Sequence, residues 1–216
     1  MPDTLLLDQI AKRYGRGEFV LKNVSHRFEP GTATALAGPN GSGKTTLLRM
    51  LNVSAYPTEG HIHYGNLNIH QHPHAYLAHT GIVHDEDALP HYLSAVEVLE
   101  FVLRHRGRWG DDGEARVHQM LDAVLLDEQR ERLIGTYSSG MKKKAQIAAA
   151  LVTEPGILLL DEPLRGLDVE ARAAILGLFQ AFKQAGGIII MASHLHETIA
   201  DLIDEVIQLG DEAGDI

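Results

Sequence analysis

The chain contains no cysteine. Disulfides and thiolate-held metals are therefore excluded, and a reducing compartment such as the cytosol fits. Long hydrophobic runs are missing too. No apolar stretch approaches the roughly 18 residues that cross a bilayer. The first residues, Met1-Pro2-Asp3-Thr4, lack the basic start of a secretory signal. Positive charge is scarce: 19 Lys and Arg stand against 29 Asp and Glu, a net charge of −10. Nonspecific nucleic-acid binding rests on neutralising phosphates with Lys and Arg, so no nucleic-acid partner is expected. The one basic run, Lys142-Lys143-Lys144, is short and reads as a solvated helix face. What remains, 216 residues at 44% hydrophobic and 22% charged, suffices for one large globular domain or two small ones.

The most specific signal present is Gly38-Pro39-Asn40-Gly41-Ser42-Gly43-Lys44-Thr45, which fits G-x-x-x-x-G-K-[ST], the phosphate-binding loop. The glycines let the backbone turn so that successive N–H groups point at phosphate oxygens. Lys44 reaches the β- and γ-phosphates, and Thr45 offers a hydroxyl to Mg²⁺. Thr34-Ala35-Leu36-Ala37 reads as a buried strand before the loop. Residues 46–52, with Leu47, Leu48, Met50 and Leu51, read as a helix after it. That helix would add its positive N-terminal end.

The other motifs are placed by a pass along the chain. Residues 4–24 read as strands joined by a turn at Gly15-Arg16-Gly17, with Tyr14 a candidate to stack on a purine base. Residues 60–69 alternate around Gly65-Asn66, a hairpin signal. Residues 61–91 hold His61, His63, His70, His72, His74, His79, His84 and His91. Spacings of two put His61/His63 and His70/His72/His74 on one face of an extended chain. With no carboxylate or cysteine completing a site, this reads as a solvated, histidine-rich strand and loop. Ser94-Ala95-Val96-Glu97 is a capping box, with helical spacing to about residue 106. Helices are expected over residues 114–126 and 141–153, the last ending before Pro155. Residues 94–153 thus form a helical stretch inside an α/β pattern. That pattern returns with the apolar run Ile157-Leu158-Leu159-Leu160, then Asp161-Glu162-Pro163 at the end where ligands bind in parallel sheets. Residues 168–184 read as a helix, 188–192 as a buried strand ending at Ser193-His194, and 206–209 as a last strand.

This order resembles the ATPase subunit of ATP-binding cassette transporters over nearly the whole chain. Tyr137-Ser138-Ser139-Gly140-Met141 resembles the family signature L-S-G-G-Q. Ser138 and Gly140 match; Tyr137, Ser139 and Met141 depart. With the lysines that follow, it looks more like cassettes of exporters than of importers. The resemblance implies an α/β fold: a P-loop NTPase core of the RecA-like kind (residues 1–87 and 154–216), an N-terminal antiparallel β portion, and an inserted α-helical subdomain (residues 88–153). It implies ATP and Mg²⁺ as cofactors. Tyr14 would stack on the adenine, and residues 38–46 (Gly38 through Thr45, and Thr46) would cradle the phosphates. Ser138 and Gly140 would face the nucleotide of a second cassette, with Asp168 at the seam. Thr45 and Asp161 would hold Mg²⁺. Lys44, Glu162 as general base and His194 as the γ-phosphate switch would carry catalysis. Two departures stand out. Without gaps, Asp85 falls where the family has a metal-linked glutamine, and so joins the metal set. Arg165 falls where a serine is usual.

The expected function is ATP hydrolysis driving transport through a separate transmembrane permease, with a second cassette as partner, at the cytoplasmic face of the membrane. A soluble cassette serving iron–sulfur assembly is the alternative. A chromosome-maintenance type would need a coiled coil, and no sustained heptads are present.

Overall fold

The computed structural model describes residues 3–193 and 196–210, with only the backbone of 196 and 197. Two sheets carry the fold. The first is antiparallel, in the order β2-β1-β4-β5. It comprises β1 (Leu5–Arg13), β2 (Phe19–Phe28), β4 (Glu59–Tyr64) and β5 (Leu67–Asn68). In β1, Leu5 and Leu7 point inward and Leu6 and Asp8 do not, the period of two that a half-buried strand requires.

The second sheet is parallel, in the order β6-β7-β8-β3-β9. It comprises β3 (Ala33–Ala37), β6 (Thr80–Val83), β7 (Ile157–Asp161), β8 (Ile188–Ala192) and β9 (Glu205–Gln208). Its strands β7, up to Asp161, and β8 are unbroken apolar runs because both faces are covered. Ile157, Leu159, Ile188 and Ile190 face one core, shared with the antiparallel sheet and α1 (Lys44–Leu51). Leu158, Leu160, Ile189 and Met191 face the other. That second core is shared with α3 (Ala95–His105), α4 (Gly113–Ala123), α5 (Ser139–Leu151) and α6 (Val169–Gln184). Each such side chain contributes about 1.5–3 kcal/mol by leaving water. No helix among the described residues is long and apolar enough to cross a membrane.

The helices start where their caps stand. Ser94 Oγ accepts from Glu97 N at 3.2 Å and Glu97 Oε2 accepts from Ser94 N at 2.7 Å, the reciprocal box read from the sequence. The helix α4 ends at Ala123, short of the expected 126. Leu125 takes a left-handed φ of 58°, which closes the helix while Val124 and Leu126 stay buried.

Three further differences from the sequence reading stand out. Thr80–Val83 forms β6, a strand that no sequence signal announced; it pairs in parallel with β7, Gly81 opposite Leu158. His70, His72 and His74 do not share an extended face. His70 follows the β5 turn, His72 caps α2 (Pro73–Leu77) and His74 lies inside it. Proline at the first helical position, pre-set at helical φ, turns the chain there. His61 and His63 do lie on one face of β4, their rings 6.1 Å apart. Among the described residues, no group of three or more His, Cys, Asp or Glu is placed to hold a metal. The third difference, Lys142–Lys144, belongs to the site.

Candidate functional site

The phosphate-binding loop leaves the carboxyl end of β3. Gly38, Gly41 and Gly43 have φ of 141°, 84° and 103°. Gly38 also has no room for more: a Cβ there would lie 2.3 Å from the carbonyl oxygen of Leu209. At Gly43 a Cβ would meet Leu21 of β2 at 2.6 Å, so the antiparallel sheet presses directly on the loop. Gly43 is also the N-cap of α1 and supplies no side-chain acceptor. In contrast, α3, α5 and α6 each have a capping oxygen, from Ser94, Ser138 and Asp168. The first N–H groups of α1 therefore keep their donors for an anion. Lys44 Nζ donates to the carbonyls of Gly38 at 2.6 Å and Pro39 at 3.0 Å, folding its charge over the loop. Ser42 is buried, and its Oγ has no hydrogen-bond partner in the structure.

Sheet register brings the acidic residues to the same edge. Ala192 at the end of β8 pairs with Leu36 of β3 on one side and Asp161 of β7 on the other. Glu162 follows immediately. Its N–H donates to the carbonyl of Ala192 at 2.9 Å, and its φ is 47°. A non-glycine residue held in the left-handed region costs about 1–2 kcal/mol. Such outliers persist where the surroundings impose them, and they cluster at functional sites.

Beyond β6, residues 84–87 have no regular structure and are held by α5. Lys143 Nζ donates to the carbonyls of His84 at 2.6 Å and Asp85 at 3.2 Å. Gln146 Nε2 donates to that of Glu86 at 2.9 Å. Lys142 Nζ lies 2.8 Å from the Asp87 carboxylate. Lys144 donates to the carbonyl of Leu125. The basic run is thus no solvated face. Lys143 is only 5% exposed, and burial lowers its pKa, with Asp85 the largest opposing charge. Burial likewise raises the pKa of Asp161; the charge of Asp85 adds to this, while Lys143, His84 and Arg165 oppose it.

These pieces enclose a cavity of about 550 Å³. Asn40, Gly41, Gly43, Lys44, Thr45 and Thr46 line one side, and Asp85, Asp161, Glu162 and Arg165 the other. Open helix donors, a lysine and a hydroxyl fit a polyphosphate. A half-buried carboxylate destabilised in its ionised form fits a cation that would relieve it.

Comparison with known proteins matches this geometry. The ABC transporter family profile covers residues 21–165. The chain belongs to the ABC transporter family. It is 32% identical to the linearmycin resistance ATP-binding protein LnrL of Bacillus subtilis, over 94% of this chain and 65% of that protein. It is 31% identical to the manganese transport system ATP-binding protein MntA of Synechocystis, over 94% of this chain and 80% of that protein. It also superposes on a dimeric ATP-binding cassette in a post-hydrolysis state with ADP and Pi. There the TM-score is 0.85 at 26% identity, over 95% of this chain and 94% of that one. The chain spans just under two thirds of the length of LnrL.

Tyr14, Ser138, Gly140 and Asp168 fall outside the cavity lining. Tyr14 sits at the tip of the β1–β2 hairpin, 51% exposed, with Lys12 Nζ 5.0 Å from its ring centre. In the ABC signature segment, Ser138 Oγ accepts from Met141 N at 3.2 Å. Gly140 is backed against the loop after β7: a Cβ there would lie 2.7 Å from the Gly166 carbonyl. Tyr137, where the family has leucine, buries its ring and donates its hydroxyl to the Gln129 carbonyl at 2.7 Å. Asp168 Oδ1 accepts from Ala171 N at 2.8 Å, capping α6. His194 lies outside the described residues. Sequence reasoning missed Lys143, although a signal was there: it shares a helix face with Ile147 and Ala150, both buried.

Proposed function

We propose that this chain binds and hydrolyses ATP with Mg²⁺ and drives transport, of the export kind, through a separate membrane subunit. The observation that supports it most is that Lys44, Thr45, Asp161 and Glu162 line one cavity. Residues 38–46 hold the phosphates through backbone N–H groups and the Lys44 ammonium. Thr45 and Asp161 are the residues that would hold Mg²⁺, which when bound neutralises charge on the phosphates. Glu162, fixed at the strand end, orients the attacking water and takes its proton. Asp85 joins the metal side. Tyr14 stacks on the base; its hairpin runs back through Val20 and Leu21, which abut the phosphate loop at Gly43. Residues 1–87 and 154–216 act as the core and 88–153 as a helical subdomain.

The reading includes a second cassette, whose phosphates would meet Ser138 and Gly140 with Asp168 at the shared seam, and takes His194 as the γ-phosphate switch. It places the chain at the cytoplasmic face of the membrane. A groove of about 260 Å³ supports the membrane partner. It runs between β6 and α3, lined by Gly81, Ile82, Leu89, Val102 and Arg106, and shares Ile82, His84 and Ala88 with the nucleotide cavity. A protein docked there would sense residues 84–88 directly. The export reading rests on the signature segment and on the resistance role in the name of LnrL. Mg²⁺-dependent ATPase activity and co-purification with a multi-span membrane protein test the proposal. A purified chain that neither hydrolyses ATP nor retains such a partner would sink it.

A further inference from the structure

We propose that Arg165 is a positioning residue of the nucleotide cavity, clamped to Asp85 so that the extra carboxylate faces the phosphates already neutralised. The inference rests on the nucleotide reading above. Asp85 follows β6 and Arg165 follows β7, two neighbouring strands of the sheet. Arg165 Nη2 lies 2.7 Å from Asp85 Oδ1. The N–H is not aligned on that oxygen, which otherwise has no hydrogen-bond partner in the structure. The contact is therefore an ion pair that joins the two loops.

The two lysines nearby hydrogen-bond to backbone carbonyls and make no direct ion pair with the Asp85 carboxylate. Lys44 Nζ is on the carbonyls of Gly38 and Pro39. Lys143 Nζ is on those of His84 and Asp85. Among the described residues, Arg165 is the cation within ion-pair distance of the Asp85 carboxylate. Its side chain is 62% exposed, so core packing does not explain it. Asp85, Asp161 and Glu162 all line a cavity shaped for a polyphosphate. Asp85 adds a third carboxylate to that cavity, and the Arg165 guanidinium sets a positive charge against it. Asp85 and Arg165 both depart from the family pattern, and the fold brings the two into contact.

The pair must then act as a unit, which a double-substitution cycle reads directly. ATP affinity is measured in EDTA and in Mg²⁺ for the unsubstituted protein, Arg165→Gln, Arg165→Lys, Asp85→Asn, and Asp85→Asn with Arg165→Gln, each with a melting curve. Arg165→Gln should weaken metal-free binding by about tenfold, the equivalent of one pKa unit of interaction. Mg²⁺ should recover most of that loss. Arg165→Lys, which keeps the charge, should stay near the unsubstituted value. Asp85→Asn should tighten metal-free binding. The double variant should return toward the starting affinity, well short of the product of the single effects. Independent multiplication of the two single effects overturns the clamp. So does a folding defect in Arg165→Gln that Asp85→Asn fails to repair. If the unsubstituted protein binds no nucleotide, the nucleotide reading fails and the clamp falls with it. If it binds and the effects multiply independently, the clamp alone falls.

Discussion

The ammonium of Lys143 on α5 meets the backbone carbonyl of His84 at 2.6 Å, across 59 positions of sequence. With Lys142 on Asp87 and Gln146 on the Glu86 carbonyl, it fastens an irregular stretch of the cavity lining to the helix that begins at Ser139. Whatever shifts residues 84–87 must therefore move α5 or break these contacts.

Lys143→Met should release that stretch. Two carbonyls lose their donor, a cost of about 1–3 kcal/mol against local opening. Amide exchange across residues 84–87 should speed up accordingly, and ATP turnover should fall, with Lys143→Arg much closer to the unsubstituted protein. Unchanged exchange in the methionine variant would show that α5 does not hold the stretch.

On the proposed reading, Glu162→Gln keeps the phosphate contacts and removes the general base. Hydrolysis should drop by about 10²–10⁴-fold while ATP binding persists, and an ATP-bound dimer should accumulate on size-exclusion chromatography. Lys44→Ala should lose nucleotide binding instead. Full turnover by Glu162→Gln would falsify the general-base role.

Tyr14 is half exposed at a hairpin tip, which suits a stacking platform. Tyr14→Ala should weaken ATP binding by about 1–3 kcal/mol and Tyr14→Phe should change little. Equal affinity for all three forms would reduce Tyr14 to an ordinary hairpin residue.

The pKa of Asp161 is raised above 3.8, first by burial and then by the charge of Asp85. From 3.8 up to that raised value the folded chain binds more protons than the unfolded one. Its stability therefore falls as pH rises through this window, and stays lower above it. Asp161→Asn cannot ionise. In EDTA at neutral pH it should melt higher than the unsubstituted protein, with the gap closing in acid, while Mg²⁺-dependent ATP turnover is lost. Identical melting profiles from acid to neutral pH would refute the assignment.

Much of this protein was legible locally. The phosphate loop declares itself because its glycines, lysine and threonine act within eight consecutive positions, flanked by the strand and helix that aim them. The runs in β7 and β8 announced a doubly covered sheet because burial on both faces demands unbroken apolar sequence. Ser94 and Glu97 marked the start of α3 because a cap and its partner lie three residues apart.

Other features exist only through contacts between distant segments. Thr80–Val83 is a strand because β7 offers it a parallel ladder; Thr80, Ile82 and Val83 favour strands, but four residues with a glycine among them are too short to announce one. Lys143 reads as one of three surface lysines until the loop after β6 closes over it. The end of α4 was set by Leu125 turning left-handed while its neighbours stayed in the core. Asp85 and Arg165 each look like an isolated departure in sequence. Only the adjacency of β6 and β7 brings the two charges together, because strand order depends on what the whole sheet can bury, and no single segment encodes it.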